Sequence, residues 1–160
     1  MGQKTHPTGF RFGLYKSHNS TSFAIYVDFG EVLKEDYKIR QFFEKEFATI
    51  YEKAGIAKLE IKRKVNQLEL LIYAARPKSI AAASDEEGTI LNLKTSLKKL
   101  LSESKQIRIK ILQINKSENE SSLVARSLAT QLEKRVAFRK AIRQTTQMLQ
   151  KSGVKGFKIQ

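Results

Sequence analysis

The residues whose types and spacing could do chemistry lie near the C-terminus. From Lys134 onward there is no Asp or Glu. Eight cations stand there: Lys134, Arg135, Arg139, Lys140, Arg143, Lys151, Lys155 and Lys158. Arg135, Arg139 and Arg143 recur every four residues, which predicts one stripe on a helix, with Lys140 beside it. The opposing face is predicted to pack through Phe138, Ile142, Thr145 and Leu149. Like charges at this spacing disfavour an isolated helix by about 0.2–0.5 kcal/mol per pair. A polyanion removes that penalty, because guanidinium forks match phosphate oxygens and the stripe can track a backbone. A solvated helix face normally mixes signs, and this one does not. The chemistry implied is phosphate binding, not bond making.

Residues for other chemistry are sparse. Only His6 and His18 supply imidazoles, both in the polar N-terminal stretch. Serines are plentiful but have no histidine nearby. The chain has no cysteine, which excludes disulfides and thiolate zinc sites. Asp85-Glu86-Glu87 is an acidic run without metal-ligand spacing, and it reads as a solvated turn. No phosphate-loop or dinucleotide glycine pattern occurs. No catalytic residue, metal or cofactor is expected, and the chain is not read as an enzyme.

Composition agrees. Thirty Lys and Arg against sixteen Asp and Glu leave a net charge of +14. Such a charge repels itself in a compact state and points to a polyanionic partner, nucleic acid first and an anionic membrane second. The apolar fraction of 41% is enough for a packed core. The longest uninterrupted apolar run, Leu70 to Ala75, is far short of the roughly 20 residues of a spanning helix. No membrane partner is expected. Met1 to His6 contains no apolar signal core, and residues 1–30 hold only Lys4, Arg11 and Lys16 as cations, unlike a transit peptide. Gly2 does not complete a myristoylation pattern. The protein is expected to work in the compartment that makes it.

The elements that must position these cations follow from periodicity. Residues 1–30 read as an extended arm, punctuated by Pro7, Gly9, Gly13 and Gly30 and carrying interspersed aromatics. Lys4, Arg11 and Lys16 are its candidate RNA anchors. Residues 35–54 predict a helix through Tyr37, Phe42, Phe43, Phe47, Ile50 and Tyr51, stopped by Gly55. Its charges are of both signs, which suits a scaffold. Two strands follow around Leu59–Ile61 and Leu68–Ile72, joined by a turn at Val65-Asn66-Gln67. A short helix or loop spans 77–88. A helix is predicted over 89–102 on Leu91, Leu93, Leu97, Leu100 and Leu101, then a strand over 107–114 with Ile107, Ile109 and Ile111 on one face. This order predicts an α+β fold, a three-stranded sheet with helices on one face. Residues 116–121 read as a linker. A long helical region over 122–151, broken once, ends at Gly153. A last strand is predicted over 154–160.

Several segments together carry a family resemblance. They are Met1 to Arg11, Ser20 to Ala24, Asp36 to Arg40, Gly55 to Ile61, Ala75-Arg76-Pro77, Gln131 to Ala141, and Gly153 to Ile159. In this order they resemble the small-subunit ribosomal proteins of the S-three family, over nearly the whole chain. The stretch Gln131 to Ala141 is the most specific. The resemblance implies a type II KH domain over 31–115, after an arm over 1–30. It further implies a second small α+β domain over 122–160, shorter than in the family. Two departures stand out. The family's Gly-x-x-Gly loop clamps nucleotides, but Lys78 to Gly88 has one glycine and three acids, so no clamp is expected. Degenerate loops of this kind resemble the plastid members. Family members also continue beyond the equivalent of Gln160, so a separate polypeptide completing the second domain is one expectation.

The function implied is a constituent of the small-subunit head in translation. Its partners would be small-subunit rRNA, messenger RNA at the channel entrance and neighbouring head proteins. Arg139, Lys140 and Arg143 match the family's messenger-facing cations. The location implied is the chloroplast ribosome, with a bacterial or mitochondrial ribosome as alternatives. The rival function is a free-standing KH-like regulator of single-stranded RNA, which would need the missing Gly-x-x-Gly turn. A nuclease would need clustered carboxylates or a histidine pair. A basic DNA-binding protein is the rival that charge alone leaves open.

Overall fold

The structure, a computed structural model, describes residues 4–26, 28–45, 54–64, 67–82, 88–101 and 106–159. Three expected features lie outside these residues: the acidic run at Asp85, the turn at Val65-Asn66, and residues 46–53 of the first long helix.

The arm is not wholly extended. Pro7–Arg11 forms a short helix, α1. Proline suits a first helical position because its fixed φ is already helical. His6 caps it, its Nδ1 accepting from the Gly9 amide at 3.1 Å. The arm then contributes a strand of two residues, β1 (Ser20–Thr21). The amide of Ile61 donates to the Asn19 carbonyl at 2.9 Å. Arg40 locks the crossing, donating to the Leu59 carbonyl at 3.1 Å, the Asn19 carbonyl at 3.2 Å and Ser20 Oγ at 2.8 Å.

Helix α2 (Phe29–Lys45) begins earlier than the predicted residue 35. Strands β2 (Ile56–Lys64) and β3 (Gln67–Ala74) follow, then α3 (Pro77–Ala82), α4 (Gly88–Leu100) and β4 (Gln106–Gln113). The sheet order is β1-β2-β3-β4. β2 and β3 are antiparallel, while β1 runs parallel to β2 and β4 parallel to β3. The expected three strands are therefore four, because the arm adds an edge that Arg40 holds in place.

Register explains the core. Leu59, Ile72 and Ile111 lie in one cross-strand row, Ile61, Leu70 and Ile109 in the next. These rows pack with Ile39, Phe42 and Phe43 of α2, Ile80 of α3, and Leu93 and Leu97 of α4. A third row places Arg63 beside Leu68 and Ile107. That buried guanidinium pairs with Glu35 and with Asp36, the latter at 2.6 Å, so the charge is met as burial requires. The alternate residues of the sheet carry ion pairs of mixed sign, Lys58 with Glu60 and Lys110 with Glu69, each at 2.6 Å.

Beyond a 3₁₀ turn at Ser117–Asn119 lie helices α5 (Ser121–Glu133) and α6 (Phe138–Lys151). The single break predicted in 122–151 is present. The strand predicted over 154–160 is not: residues 154–159 have no ladder partner, and the second unit is helical among the described residues. Among the described residues no partner strand lies beside Val154 to Ile159, and alternation alone makes no sheet.

Candidate nucleic-acid interface

Helix α5 stops in a way that shapes the site. Lys134 is its C-cap and Arg135 takes φ +57. The Arg135 amide donates to Leu132 O at 2.9 Å and the Val136 amide to Gln131 O at 3.1 Å. This is a Schellman closure, whose left-handed position usually holds glycine. Helix α6 ends the same way with glycine. There Gly153 has φ +78, its amide donates to Gln150 O, and the Val154 amide donates to Leu149 O.

The turn corrects the expected three-arginine stripe. Arg135 sits outside α6, in the left-handed position, so only Arg139 and Arg143 share a helical face. The packing face is corrected as well. Ala141, Thr145 and Leu149 are buried, while Phe138 is 61% exposed and Ile142 38%. The hydroxyl of Thr145 donates to Ala141 O at 2.6 Å, which satisfies the one polar group on that face. The aromatic that looked like core instead lies beside a cation, with the Arg139 guanidinium 5.7 Å from the Phe138 ring centre. That geometry fits a weak exposed cation–π contact.

Lys134, Arg135, Arg139, Lys140 and Arg143 are all exposed around the α5–α6 turn and the first turns of α6. Lys151 lies in the last turn of α6, and Lys155 and Lys158 follow in irregular chain. Lys4, Arg11 and Lys16 are exposed on the arm. Arg11 folds back, donating to Pro7 O at 2.7 Å. Among the described residues none of these eleven cations is ion-paired. The contrast with the sheet is physical: its Lys58, Arg63 and Lys110 are neutralised by acids, and the C-terminal cations are not.

Sequence reasoning missed the cations near the join of the two units. Arg76, just after β3, and Arg126, on α5, line a cleft together with Lys134. No periodic signal could bring Arg76 to α5, because their approach depends on how α5 docks at the sheet end. Gly55 marks that docking, with φ +63 and an ideal Cβ 3.2 Å from Ala75 Cβ and 3.8 Å from Leu123.

Among the described residues no group of three or more His, Cys, Asp or Glu could hold a metal ion, and no helix is long and apolar enough to cross a membrane. The described residues form an α+β body whose α5–α6 turn carries exposed cations with no ion pair among those residues. No family model matches the chain. It is 67% identical, over all 160 residues, to the small ribosomal subunit protein uS3c of Emiliania huxleyi, and covers 74% of that protein. It is 44% identical to uS3c of Pyropia yezoensis, covering 67% of it. It is 40% identical to uS3 of Nostoc punctiforme, covering 61% of that longer relative. The chain belongs to the uS3 family of small-ribosomal-subunit proteins and is of its plastid type.

Proposed function

We propose that this chain is a structural, non-catalytic constituent of the small-subunit head in a chloroplast ribosome. The relatives are named as small ribosomal subunit proteins, and those of the plastid type carry high identity across the whole chain. Within that role the chain binds small-subunit rRNA through its exposed cations. The observation that supports this most directly is the absence of any acid after Lys134, together with the exposure of Arg135, Arg139, Lys140 and Arg143 on one turn and helix start. Every phosphate neutralised there releases counterions, so affinity is steeply salt-dependent.

Arg139, Lys140 and Arg143 face messenger RNA at the channel entrance, while Lys4, Arg11 and Lys16 lay the arm on rRNA beside neighbouring head proteins. Lys134, Lys151, Lys155 and Lys158 extend the rRNA contact. Residues 31–115 form a type II KH domain, in keeping with the order α2-β2-β3-α3-α4-β4 and the mixed strand directions. The exposed Leu132, Phe138, Ile142 and Phe157 of the 122–160 unit are covered by protein in the assembled subunit, either a neighbour or a separate polypeptide. A free-standing KH regulator is disfavoured because Lys78 to Gly88 contains a single glycine.

Fractionating native ribosomes and weighing the small-subunit proteins by mass spectrometry tests the reading. The chain is expected at one copy per small subunit. Recovery only in light fractions overturns it.

A further inference from the structure

We propose that the cleft between the sheet end and α5–α6 receives one extruded RNA nucleotide. This deepens the rRNA-binding reading above and rests on it. The cleft holds about 640 Å³ and is walled by Leu123 and Val124 of α5 and Met148 of α6. That volume falls within the roughly 300–1,000 Å³ of small-molecule sites, whose walls are mostly apolar with a few placed polar groups. The apolar wall suits the face of a base.

The polar groups are arranged for a nucleotide. Arg76 and Lys134 are exposed, line the cleft, and lack an ion-pair partner among the described residues. They supply cations for the flanking phosphates. Gln131 also lines the cleft, and its Oε1 is buried with no hydrogen-bond partner among the described residues. Leaving a buried acceptor unmet costs about 1–3 kcal/mol. Turned into the cleft by rotation of the side chain, that oxygen accepts from the amino or imino hydrogen of a base. Glu118 is the single acid on the lining, against Arg76, Arg126 and Lys134.

An RNA strand is favoured over a peptide because a peptide brings no phosphate to the two free cations. It is favoured over a free nucleotide because the cleft reaches Lys134, where the acid-free stretch begins. RNA-binding proteins commonly read such splayed bases by their edges and faces.

The lack of native cysteine makes a test direct. Ser127, exposed on α5 and part of the lining, is replaced as Ser127→Cys and tethered to an iron chelate that generates hydroxyl radicals. Small subunits assembled with the full labelled chain are expected to show cuts at one short rRNA segment. One base there is expected to be protected from base-specific reagents. Arg76→Gln with Gln131→Leu is expected to raise its reactivity about tenfold, from loss of one hydrogen bond and one phosphate contact. If the double variant does not assemble, Gln131→Leu alone makes the comparison. Unchanged reactivity overturns the proposal. So does a labelled chain that is present in subunits yet cuts no rRNA, or one whose benzophenone derivative at the same cysteine captures protein; the family role then stands. A labelled chain that stays out of small subunits, while the unmodified chain enters, also overturns it. An unmodified chain that itself stays out overturns the broader reading.

Discussion

Arg135 occupies a backbone position that disfavours it. A left-handed conformation costs a non-glycine residue about 1–2 kcal/mol, and the matching position at the end of α6 is filled by Gly153. Strain of this kind points towards function where the surroundings enforce it. Arg135→Gly is expected to stabilise the fold by about 0.5–1 kcal/mol, relieved strain being partly offset by the freer unfolded glycine. The denaturation midpoint would rise at unchanged slope, while rRNA affinity falls. A lower midpoint would show that the arginine side chain itself supports the turn.

Glu69 gives a pH-dependent contact at the same scale. Lys110 donates to its carboxylate and holds its pKa below the ordinary glutamate range, with the charges of Lys110, Lys64 and Lys62 acting in the same direction. A depressed folded pKa means the contribution is complete above the ordinary range. It is lost as the pH falls through the lowered value. The pair joins β3 to β4, so acid weakens that edge and neutral pH does not. An NMR titration of Glu69 is expected to move back towards ordinary behaviour in Lys110→Ala. No movement would assign the shift elsewhere.

Helix α6 shows how an element selects its buried side. Ala141, Thr145 and Leu149 form one i, i+4, i+8 line, and all three are buried. Leu149→Ala is expected to cost about 2–5 kcal/mol, as a buried leucine truncated in a packed site does. Phe138→Ala is expected to fall within about 0.5 kcal/mol of the parent, because an exposed ring has little burial to lose. Urea denaturation of the two variants checks the assignment, and equal losses would return Phe138 to the core. The sequence made Phe138 and Ile142 look like the packing side because both are apolar and four residues apart. The start of α6 at Phe138 and the turn before it set a different face inward.

For the whole molecule, charge is divided between two regimes. In the sheet unit Lys58, Arg63 and Lys110 are ion-paired, Arg63 with both Glu35 and Asp36. From Lys134 onward the cations are exposed and lack an ion pair among the described residues. Arg139→Glu with Lys140→Glu is therefore expected to leave assembly into small subunits nearly intact, since neither side chain packs on the core. Binding of structured messenger RNA by those subunits is expected to weaken about tenfold or more, from lost phosphate contacts and added repulsion. Filter binding with mutant subunits measures this, and undiminished binding would remove these residues from the messenger path.

Composition and periodicity by themselves determined the α+β class, the three long strands, the helix over 88–100, the interruption between α5 and α6 and the acid-free basic end. Each depends on local pattern: alternation for strands, three- and four-residue steps for helices, and a count of charges. Only the tertiary structure decided four other matters. Ser20–Thr21 joined the sheet because Arg40, from a distant helix, bridges two backbones. Arg135 left the helical stripe because a Schellman turn closed α5 first. Val154 to Ile159 formed no strand because alternation cannot supply a neighbour to pair with. Arg76 came to the cleft with Lys134 because α5 docks at the sheet end, beside Gly55 and Ala75. In each case the deciding contact joins residues far apart in sequence or depends on backbone geometry, and short-range spacing carries neither.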